Sequence, residues 1–463
     1  MPLFAFDEEE LSAGLSGLSA GLSVVALDAD SPTIILNGSQ TSADGRGINI
    51  PQPRRRSSVY RRVSIKSSMT NGRGIAIPSD FGSIPKSENR VFNKKSLADF
   101  RPLKVLGQGA YGKVHLVQDR HDGKLYAQKQ IRKPQIDIFE QKVSADAKTL
   151  SELPADHHVS PEVKSAANNV QRTIAERHIL SEITHHVNIV KLFYALQDED
   201  KFYLLLEYIP GGELFHHLTS NNSLGNVFLE EHVAFYAAQM ALGIKHLHSL
   251  GIVYRDLKPE NCLLNSAGHL VLTDFGLSKN IGNDGDADCR SIIGTPEYMA
   301  PEIIKGEAYG YPVDWWSLGC VIFDMMTGKP PFTGKTHKTI SDKIIKSKPS
   351  FPFYLSLDAK DILGKLLQKN PSKRMAVDEK WATFKAHRFF RKINWDEVEN
   401  QSAVPPVIPV ITDPALAENF SNEFTGMKIS DYDLGSSQAC SPDPIFKGFS
   451  YTASHSFFDR YNH

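Results

Sequence analysis

The sequence has few cysteines, four among 463 residues. Cys262, Cys289, Cys320 and Cys440 lie far apart and form no CxxC pair. This spacing argues against a disulfide framework and against a zinc site, and it fits a reducing compartment. We therefore expect a cytoplasmic protein, with the nucleus as a second location.

Neither sign of charge is in excess, since the net charge is −1. No overall field therefore favours nucleic acid or an anionic membrane as a partner. The first residues, MPLFAFDEEE, are acidic where a signal peptide would be basic, and no apolar stretch of membrane-spanning length follows them. We expect neither secretion nor insertion into a membrane.

Three regions differ in composition. Residues 1–95 carry the repeat LSAGLSGLSAGLS and then Ser, Gly, Pro and Arg without a helical or strand period, so we expect a disordered regulatory region. Residues 100–390 read as strands followed by helices, which indicates an α+β fold of two layers or two lobes. Residues 391–463 are rich in Pro and Ser with scattered Phe, which is typical of an extended tail.

The glycine-rich stretch GQGAYGKV places Gly107, Gly109 and Gly112 in one turn. Because glycine lacks a Cβ atom, the backbone N–H groups of such a turn can approach phosphate oxygens closely. A GxGxxG stretch also opens dinucleotide-binding folds, where it leads from a strand into a helix. Here VHLVQD follows and reads as a second strand, so we predict a hairpin that lies over phosphates.

Lys129 lies in the next strand, YAQK, and Glu176 lies in the helical stretch NVQRTIAERHILSEI. A lysine in an apolar strand is usually a snorkelling edge residue. If Glu176 is its partner, the pair can be buried, and Lys129 can hold the α- and β-phosphates of a nucleotide. The segment 134–169 between them is polar and irregular. We interpret it as an inserted disordered loop that leaves the pair intact, with a docking element for a partner as the alternative.

Two further stretches, YRDLKPEN and DFG, supply chemical groups in order. Asp256 can accept the proton of a substrate hydroxyl, and Lys258 can neutralise a γ-phosphate. Asn261 and Asp274 offer an amide oxygen and a carboxylate, which are hard ligands of the kind that Mg²⁺ prefers. Two carboxylates alone would also fit an unrelated metal hydrolase. The order of glycine turn, Lys, Glu, Asp-Lys-Asn and Asp-Phe-Gly argues against that alternative.

With these motifs, residues 100–390 resemble the eukaryotic protein kinases. The APE stretch with Glu302, together with Arg374, is similar to the Glu–Arg pair that braces the large lobe of that family. DWWSLG, from Asp314, is similar to the start of its central helix. The resemblance implies a bilobal α+β protein kinase fold that uses ATP and Mg²⁺ and modifies protein substrates.

The implied lobes have different compositions. The small N-lobe, 100–209, is β-rich with one main helix and includes the insertion, while the large C-lobe, 210–390, is helical. The resemblance also implies that Thr295 hydrogen-bonds Asp256. It implies nucleotide contacts from Gly107, Gln108, Gly109, Ala110, Gly112, Val114, Ala127, Lys129, Glu207, Ile209, Glu213, Leu263 and Asp274.

A scaffold that keeps this fold without catalysis is an alternative to an enzyme. Such pseudokinases lose the phosphate lysine, the catalytic aspartate or the metal aspartate. Lys129, Asp256, Asn261 and Asp274 are all present, so we predict an active enzyme.

The forms YRD, GTPEYMAPE and FKGFSY are similar to the AGC group of serine/threonine kinases, with 391–463 as the extended tail of that group. In this resemblance Glu213, Glu260 and Asp324 match positions that bind arginine residues of the substrate. Those arginines precede the serine or threonine that is phosphorylated. Carboxylates recognise arginine through charge-assisted, often bidentate hydrogen bonds. We therefore predict substrates of the type R-x-x-S/T or R-R-x-S/T, although each carboxylate could equally be a solvated surface group.

The resemblance also implies regulation by phosphorylation. Ser291 occupies the activation-loop site, and its phosphate could pair with Arg255 and Lys279. Upstream kinases of the phosphoinositide-dependent and TOR types are the implied partners of a monomeric kinase. In the basic stretch RRRSSVYRRVS, Ser58 and Ser64 are sites of the type that this kinase should prefer, and nuclear import is the alternative role of that stretch.

Phe446, Phe449 and Ser450 form a hydrophobic motif that is expected to dock in a groove of the small lobe near Lys133. Ser430 and Ser441 remain alternative turn-motif sites. FKGFSYTA after NEFT resembles the ribosomal S-six kinase branch, including its fungal members. A cyclic-AMP-dependent-type catalytic subunit is the alternative, although such a subunit usually stops at the aromatic pair.

Overall fold

The computed structural model describes residues 95–109, 112–133, 161–183, 186–220, 227–282, 289–430, 446 and 448–454, with only the backbone described at 161–168 and 218–220. These residues form a sheet-rich small lobe followed by a helical large lobe, which confirms the predicted bilobal α+β fold. Among the helices of this part of the chain, none has the length and apolar character needed to cross a membrane.

The strands and helices follow each other in the predicted order. The described strands are β1 (Phe100–Gly109), β2 (Gly112–Asp119), β3 (Leu125–Arg132), β4 (Leu192–Gln197), β5 (Lys201–Glu207), β6 (Ile252–Val253), β7 (Cys262–Leu264), β8 (Leu270–Leu272), β9 (Lys279–Asn280) and β10 (Tyr451–Thr452). The described α-helices are α1 (Pro161–Glu182), α2 (Leu214–Ser220), α3 (Glu230–Ser249), α4 (Pro301–Lys305), α5 (Pro312–Thr327), α6 (His337–Lys346), α7 (Leu357–Leu366), α8 (Trp381–Lys385), α9 (Trp395–Glu399) and α10 (Asn422–Thr425).

The small lobe is built on a six-stranded sheet of order β1-β2-β3-β5-β4-β10, in which every neighbouring pair is antiparallel. Gly109 pairs with Gly112 at the end of the β1–β2 hairpin, so the predicted hairpin is confirmed. A Cβ atom at Gly112 would lie 1.7 Å from the carbonyl oxygen of Gln130. Glycine is therefore required there for β2 to approach β3.

Helix α1 is the main helix of the small lobe, and it corrects one prediction. It begins at Pro161, so the irregular segment predicted over 134–169 is too long by its last nine residues. Those residues lack apolar periodicity, but extending an existing helix adds a hydrogen bond for each residue fixed. Proline is also favoured at the first helical position. The buried residues Val170, Ile179 and Leu180 anchor the rest of the helix.

The large lobe is centred on α5, whose residues are buried on nearly every side. A helix that is apolar all round belongs in a core. Helix α3 packs beside it, with Val233, Tyr236 and Met240 fully buried, as the helical spacing predicts. The hairpin of β7 and β8 and the pair β6–β9 lie at the start of this lobe and carry the predicted chemical motifs.

A buried ion pair braces the large lobe. Arg374 donates to both carboxylate oxygens of Glu302 at 2.7 and 3.0 Å, and its guanidinium lies over the ring of Trp316. It also donates to the backbone oxygens of Pro312 and Gln368. The predicted Glu–Arg pair is therefore present, and four hydrogen bonds of Arg374 offset the cost of burying its charge.

The tail runs back from the large lobe to the small lobe. A Cβ atom at Gly211, Gly212 or Gly268 would lie within 3 Å of an atom of Pro409, Asn419 or Val407 respectively. Gly211 and Gly212 therefore let the tail lie directly against the segment that joins the lobes, and Gly268 lets it lie against the turn between β7 and β8. From there Phe424 in α10 is buried, and further along the tail β10 pairs with β4 at the edge of the sheet.

Candidate active site

A cluster of three charges joins the two lobes. Lys129 in β3 donates to Glu176 Oε1 at 2.6 Å and Oε2 at 2.9 Å, and to Asp274 Oδ1 at 2.9 Å. Burial alone would lower the pKa of Lys129, but the charges of Asp274 and Glu176 outweigh it and raise that pKa to about 12. The lysine is therefore held as a cation where β3, α1 and the end of β8 meet.

The backbone at Asp274 has an unusual conformation. Its φ is 57°, a left-handed value that non-glycine residues rarely adopt and that costs energy. The N–H of Gly276 donates to Asp274 Oδ1 at 3.2 Å. A Cβ atom at position 276 would lie 3.2 Å from that oxygen and 3.3 Å from Glu176 Oε2, so glycine leaves room for the charge cluster.

A second cluster surrounds Asp256. Its Oδ2 accepts hydrogen bonds from Lys258 Nζ at 2.9 Å and from Asn261 Nδ2 at 3.1 Å. Thr295 Oγ1 accepts from Lys258 Nζ at 3.3 Å, so that ammonium group links Thr295 to Asp256. The three side chains fix the orientation of a carboxylate that lies in a cleft.

The loop that carries Asp256 is held by a buried carboxylate in α5. Arg255 has a left-handed φ of 66°. Asp314 accepts the backbone N–H of Tyr254 at 2.8 Å and that of Arg255 at 2.7 Å. Two charge-assisted hydrogen bonds to successive N–H groups offset the cost of this strained backbone.

His248, at the end of α3, lies between two carboxylates. Its Nε2 is 2.8 Å from Asp314 Oδ2, and its Nδ1 is 3.0 Å from both oxygens of Asp378. Trp315 Nε1 and Lys245 also contact Asp378. Burial would lower the pKa of His248, but the hydrogen bonds and charges of Asp314 and Asp378 raise it. Sequence reasoning missed this set, because its three members are separated by more than 60 residues.

The residues at the Asp256 cleft fit a magnesium ion. Asn261 precedes β7 and Asp274 follows β8, and the N–H of Thr273 donates to the Asn261 carbonyl, so both side chains lie at one end of the hairpin. Because Asn261 Nδ2 donates to Asp256, its amide oxygen is left to accept or coordinate. Within the described residues no three His, Cys, Asp or Glu side chains form a metal site. A set of one amide and one carboxylate suits Mg²⁺, which keeps waters and phosphate oxygens as its other ligands.

An apolar cluster joins the glycine hairpin to the tail. Val114 and Ala127, both predicted nucleotide contacts, pack with Leu106 in one cluster that also includes Phe420 of the tail. Phe420 stacks on Tyr208 of the segment joining the lobes, with centroids 5.9 Å apart. The ring of Phe420, in the tail stretch NFSNEF, therefore lies in the same cluster as Val114 and Ala127.

The other predicted nucleotide residues lie at the end of β1, in β5 and just after it, and in β7. Gly107, Gln108 and Gly109 form the end of β1, while Ala110 lies outside the described residues. Ile209 is buried beside the joining segment, and the carboxylate of Glu207 is bound by Lys191 at 2.8 Å. Leu263 lies in β7 and pairs with Glu213 by an isolated bridge.

The three predicted arginine-reading carboxylates lie within electrostatic range of a shared neighbour or of each other. Burial raises the pKa of Cys262, and the charges of Glu260 and Glu213 raise it further. Burial also raises the pKa of Glu260, and the charge of Asp324 contributes to that rise. Among the described residues, Glu260 Oε2 is buried without a hydrogen-bond partner. Asp324 is fully buried and accepts from the Tyr298 hydroxyl at 2.6 Å, whereas Glu213 is exposed.

The predicted activation-loop serine lies near Arg255. Tyr309 Oη donates to the backbone oxygen of Ser291 at 2.8 Å and accepts from Arg255 Nη1 at 3.2 Å. Ser291 and Lys279 are both exposed. One tyrosine hydroxyl therefore connects the serine to the guanidinium that could receive its phosphate.

The hydrophobic motif is docked on the small lobe. Phe446 and Phe449 both pack on Phe202 of β5, with centroids 5.0 and 4.4 Å away, and Lys133 lies over the rings of Phe446 and Phe202. Arg177 of α1 donates to the backbone oxygen of Phe449 at 3.0 Å and reaches those of its two neighbours. The motif therefore contacts the helix that carries Glu176.

Of the other predicted phosphorylation sites, Ser430 and Ser450 are exposed. Ser58, Ser64 and Ser441 lie outside the described residues.

Comparisons with known proteins agree with this geometry. The protein kinase domain family matches residues 157–390. The serine/threonine-protein kinase YPK3 of Saccharomyces cerevisiae is 47% identical over 410 residues, which cover 79% of this chain and 77% of that protein. A RAC family serine/threonine-protein kinase homolog of Dictyostelium discoideum is 36% identical over 376 residues, which cover 80% of this chain and 75% of that protein.

The chain therefore belongs to the protein kinase family. Within that family it is a serine/threonine protein kinase of the AGC type.

The His248 contacts predict a pH-dependent stability. A group whose pKa is raised by folding stabilises the protein fully below its ordinary value of 6.5, and this contribution is lost as the pH rises through the raised pKa. We expect His248→Gln to lower the free energy of unfolding by about 3 kcal/mol at pH 6, because the buried carboxylate of Asp314 and the partly buried carboxylate of Asp378 lose their cation. The difference from wild type should shrink towards alkaline pH. Denaturant unfolding across this pH range measures it.

His178 provides a matched control, since it forms an exposed pair with Glu182. His178→Gln should leave stability nearly unchanged at every pH. A His248→Gln deficit that stayed constant or grew with rising pH would contradict the assignment of a protonated His248.

Proposed function

We propose that this kinase transfers the γ-phosphoryl group of ATP to serine or threonine residues that follow arginine, and that it acts in growth or nutrient signalling of the TOR type. The proposed phosphoryl transfer is supported by two clusters that converge on one cleft. They are Lys129–Glu176–Asp274 and Asp256–Lys258–Asn261.

Each side chain has a role in this proposal. Asp256 orients the substrate hydroxyl and accepts its proton while the hydroxyl oxygen bonds to the γ-phosphorus and the bond to the departing ADP oxygen breaks. Lys258 lies beside Asp256 and offsets the charge that develops on the transferred group. Lys129, fixed by Glu176, holds the α- and β-phosphates. Asn261 and Asp274 would hold Mg²⁺, which when bound neutralises phosphate charge.

An acidic cluster supports the preference for arginine. Its members are Glu213, Glu260 and Asp324. A carboxylate oxygen that is buried without a described partner, as in Glu260, is costly unless a ligand supplies a donor. A guanidinium group supplies several donors and a full positive charge. The raised pKa of Glu260, caused by burial and then by its acidic neighbours, falls back when a cation binds.

The end of the tail supports the assignment to the ribosomal S-six kinase branch. The chain continues past the aromatic motif as strand β10, whereas a cyclic-AMP-dependent-type catalytic subunit, the alternative, usually stops at the aromatic pair. A pseudokinase scaffold is disfavoured because every catalytic group is present and oriented. We place the kinase in the cytoplasm as a monomer. Its activating partners would be a phosphoinositide-dependent-type kinase at Ser291 and a TOR-type kinase at Ser450, with Ser430 or Ser441 as the turn-motif site.

The catalytic role of Asp256 is tested by Asp256→Asn in a transfer assay on a peptide with arginine upstream of serine. We expect kcat to fall by about 10²- to 10⁴-fold, since the variant cannot accept the proton. Asp358→Asn, which removes a surface partner of Arg391, serves as the matched control and should keep full activity. A kcat for Asp256→Asn within threefold of wild type, at about the wild-type fold stability, would refute the role.

The arginine preference is tested by Glu260→Gln. We expect the ratio of kcat/KM for an arginine peptide over its alanine counterpart to fall by roughly 10- to 100-fold, because a charge-assisted hydrogen bond is lost. The alanine peptide should react as before. Glu231→Gln, at an exposed carboxylate bound by Lys392, should leave the ratio unchanged. If the Glu260 variant keeps the full preference for the arginine peptide, this acidic cluster does not recognise arginine.

The link to TOR-type signalling is tested at Ser450. In cells we expect its phosphate, measured by mass spectrometry, to disappear when TOR is inhibited. Ser450→Ala should weaken activity, while Ser347→Ala on the large lobe should not. Ser450 phosphate that persists under TOR inhibition would separate this kinase from that pathway.

A further inference from the structure

A short loop of the tail is closed by its own side chains. The side-chain amide of Asn419 donates to the backbone oxygen of Val410 at 3.1 Å, so the two ends of the loop meet. Inside it, the N–H of Thr412 donates to Glu418 Oε2 at 2.8 Å, and the Thr412 hydroxyl donates to Glu418 Oε1. Compact loops that their own side chains hold together are frequently functional. We call residues 410–420 the tail loop.

The carboxylate of Glu418 is the centre of these contacts. The N–H of Asp413 also donates to it, so three donors from two successive residues converge on one side chain. The hydrogen bonds from Thr412 are the main reason why the pKa of Glu418 is lowered. Hydrogen bonds to the charged form of a carboxyl group favour that form. We call the contact between Thr412 and Glu418 the clasp.

The clasp lies beside a strained residue. Ala417 has a left-handed φ of 52°, which costs energy for a residue other than glycine. It is nevertheless 2% exposed and packs with Leu106 of β1 and Leu116 of β2. Because Glu418 is the next residue, its hydrogen bonds restrain the chain in the conformation that presses Ala417 onto the glycine hairpin.

The tail loop also holds the segment that joins the lobes. The Tyr208 hydroxyl donates to the backbone oxygen of Pro414 at 3.0 Å. Asn419, which closes the loop, donates a second hydrogen bond to the backbone oxygen of Pro210 at 3.2 Å. One loop of 11 residues, 410–420, therefore contacts both the glycine hairpin and the joining segment.

These two elements carry residues that the family resemblance implies as nucleotide contacts. Val114 and Ala127 pack in the same cluster as Ala417. Glu207 directly precedes Tyr208, to which the tail loop is bonded. A change in the shape of the tail loop therefore acts on both elements that flank the expected nucleotide.

We propose that Glu418 is a positioning residue for the nucleotide, because its clasp with Thr412 holds the tail loop against the glycine hairpin and the joining segment at once. This inference rests on the proposed use of ATP. Glu418 acts through the loop and not on the reacting atoms. A clasped loop lowers the KM for ATP and slows the release of ADP. Loops that close over a nucleotide often limit kcat through product release.

Nucleotide affinity tests the clasp without catalysis. The full chain is titrated with N-methylanthraniloyl-ADP and Mg²⁺. A hydrogen bond of ordinary net strength changes an equilibrium constant by about 2- to 10-fold. We therefore expect Glu418→Ala, which removes all three bonds, to raise the Kd about tenfold, and Thr412→Val, which keeps the backbone bond, to raise it about threefold. Thr412→Ser keeps the hydroxyl and should bind like wild type.

Glu423 supplies the matched control, since it is an exposed carboxylate of the same tail in α10. Glu423→Ala should leave the Kd unchanged. Wild-type affinity in Glu418→Ala would overturn the inference and leave the use of ATP intact. A wild-type chain that binds no nucleotide would overturn both.

Steady-state kinetics separates positioning of the nucleotide from a structural role. On a peptide with arginine upstream of serine, Glu418→Ala should raise the KM for ATP about tenfold, while the KM for the peptide stays the same and kcat is unchanged or higher. Its thermal unfolding without nucleotide should match that of wild type, because Thr412 and Glu418 are both exposed. A lower kcat and a lower Tm with an unchanged KM for ATP would show that the clasp only supports the fold, and the inference would be wrong.

Discussion

The structure depends on one charged contact, the ammonium group of Lys129 held between Glu176 and Asp274. Because β3, α1 and the end of β8 each supply one member, the contact exists only when sheet, helix and large lobe are assembled together. The residue after Glu176, Arg177, holds the backbone of the hydrophobic motif. Helix α1 therefore faces the nucleotide cleft with one residue and the tail with the next. The tail and Lys129 are therefore both in contact with the same helix.

The local parts of this arrangement could be predicted from the sequence. The glycine hairpin, Lys129 in β3 and the loop around Asp256 are short stretches whose residue types are dictated by phosphate and metal chemistry. The pairing of Lys129 with Glu176 followed from the need of a buried cation for an anion. The apolar spacing of α3 likewise gave its buried face.

Other parts are set by contacts between distant residues and leave no local pattern. Packing of α3, α5 and a later loop brings together His248, Asp314 and Asp378. The sequence around each of these residues therefore does not predict its contact with the other two. Phe420 joins the cluster of Val114 and Ala127 through the path of the tail. The start of α1 at Pro161 was misjudged, because helix extension is favoured by cooperativity rather than by an apolar stripe.

The most direct test of the account is a crystal structure of the kinase with Mg²⁺ and a non-hydrolysable ATP analogue. The account predicts the α- and β-phosphates at Lys129, the metal between the side-chain oxygens of Asn261 and Asp274, and the γ-phosphate facing Asp256. A nucleotide bound elsewhere, or a metal that avoids both Asn261 and Asp274, would contradict it.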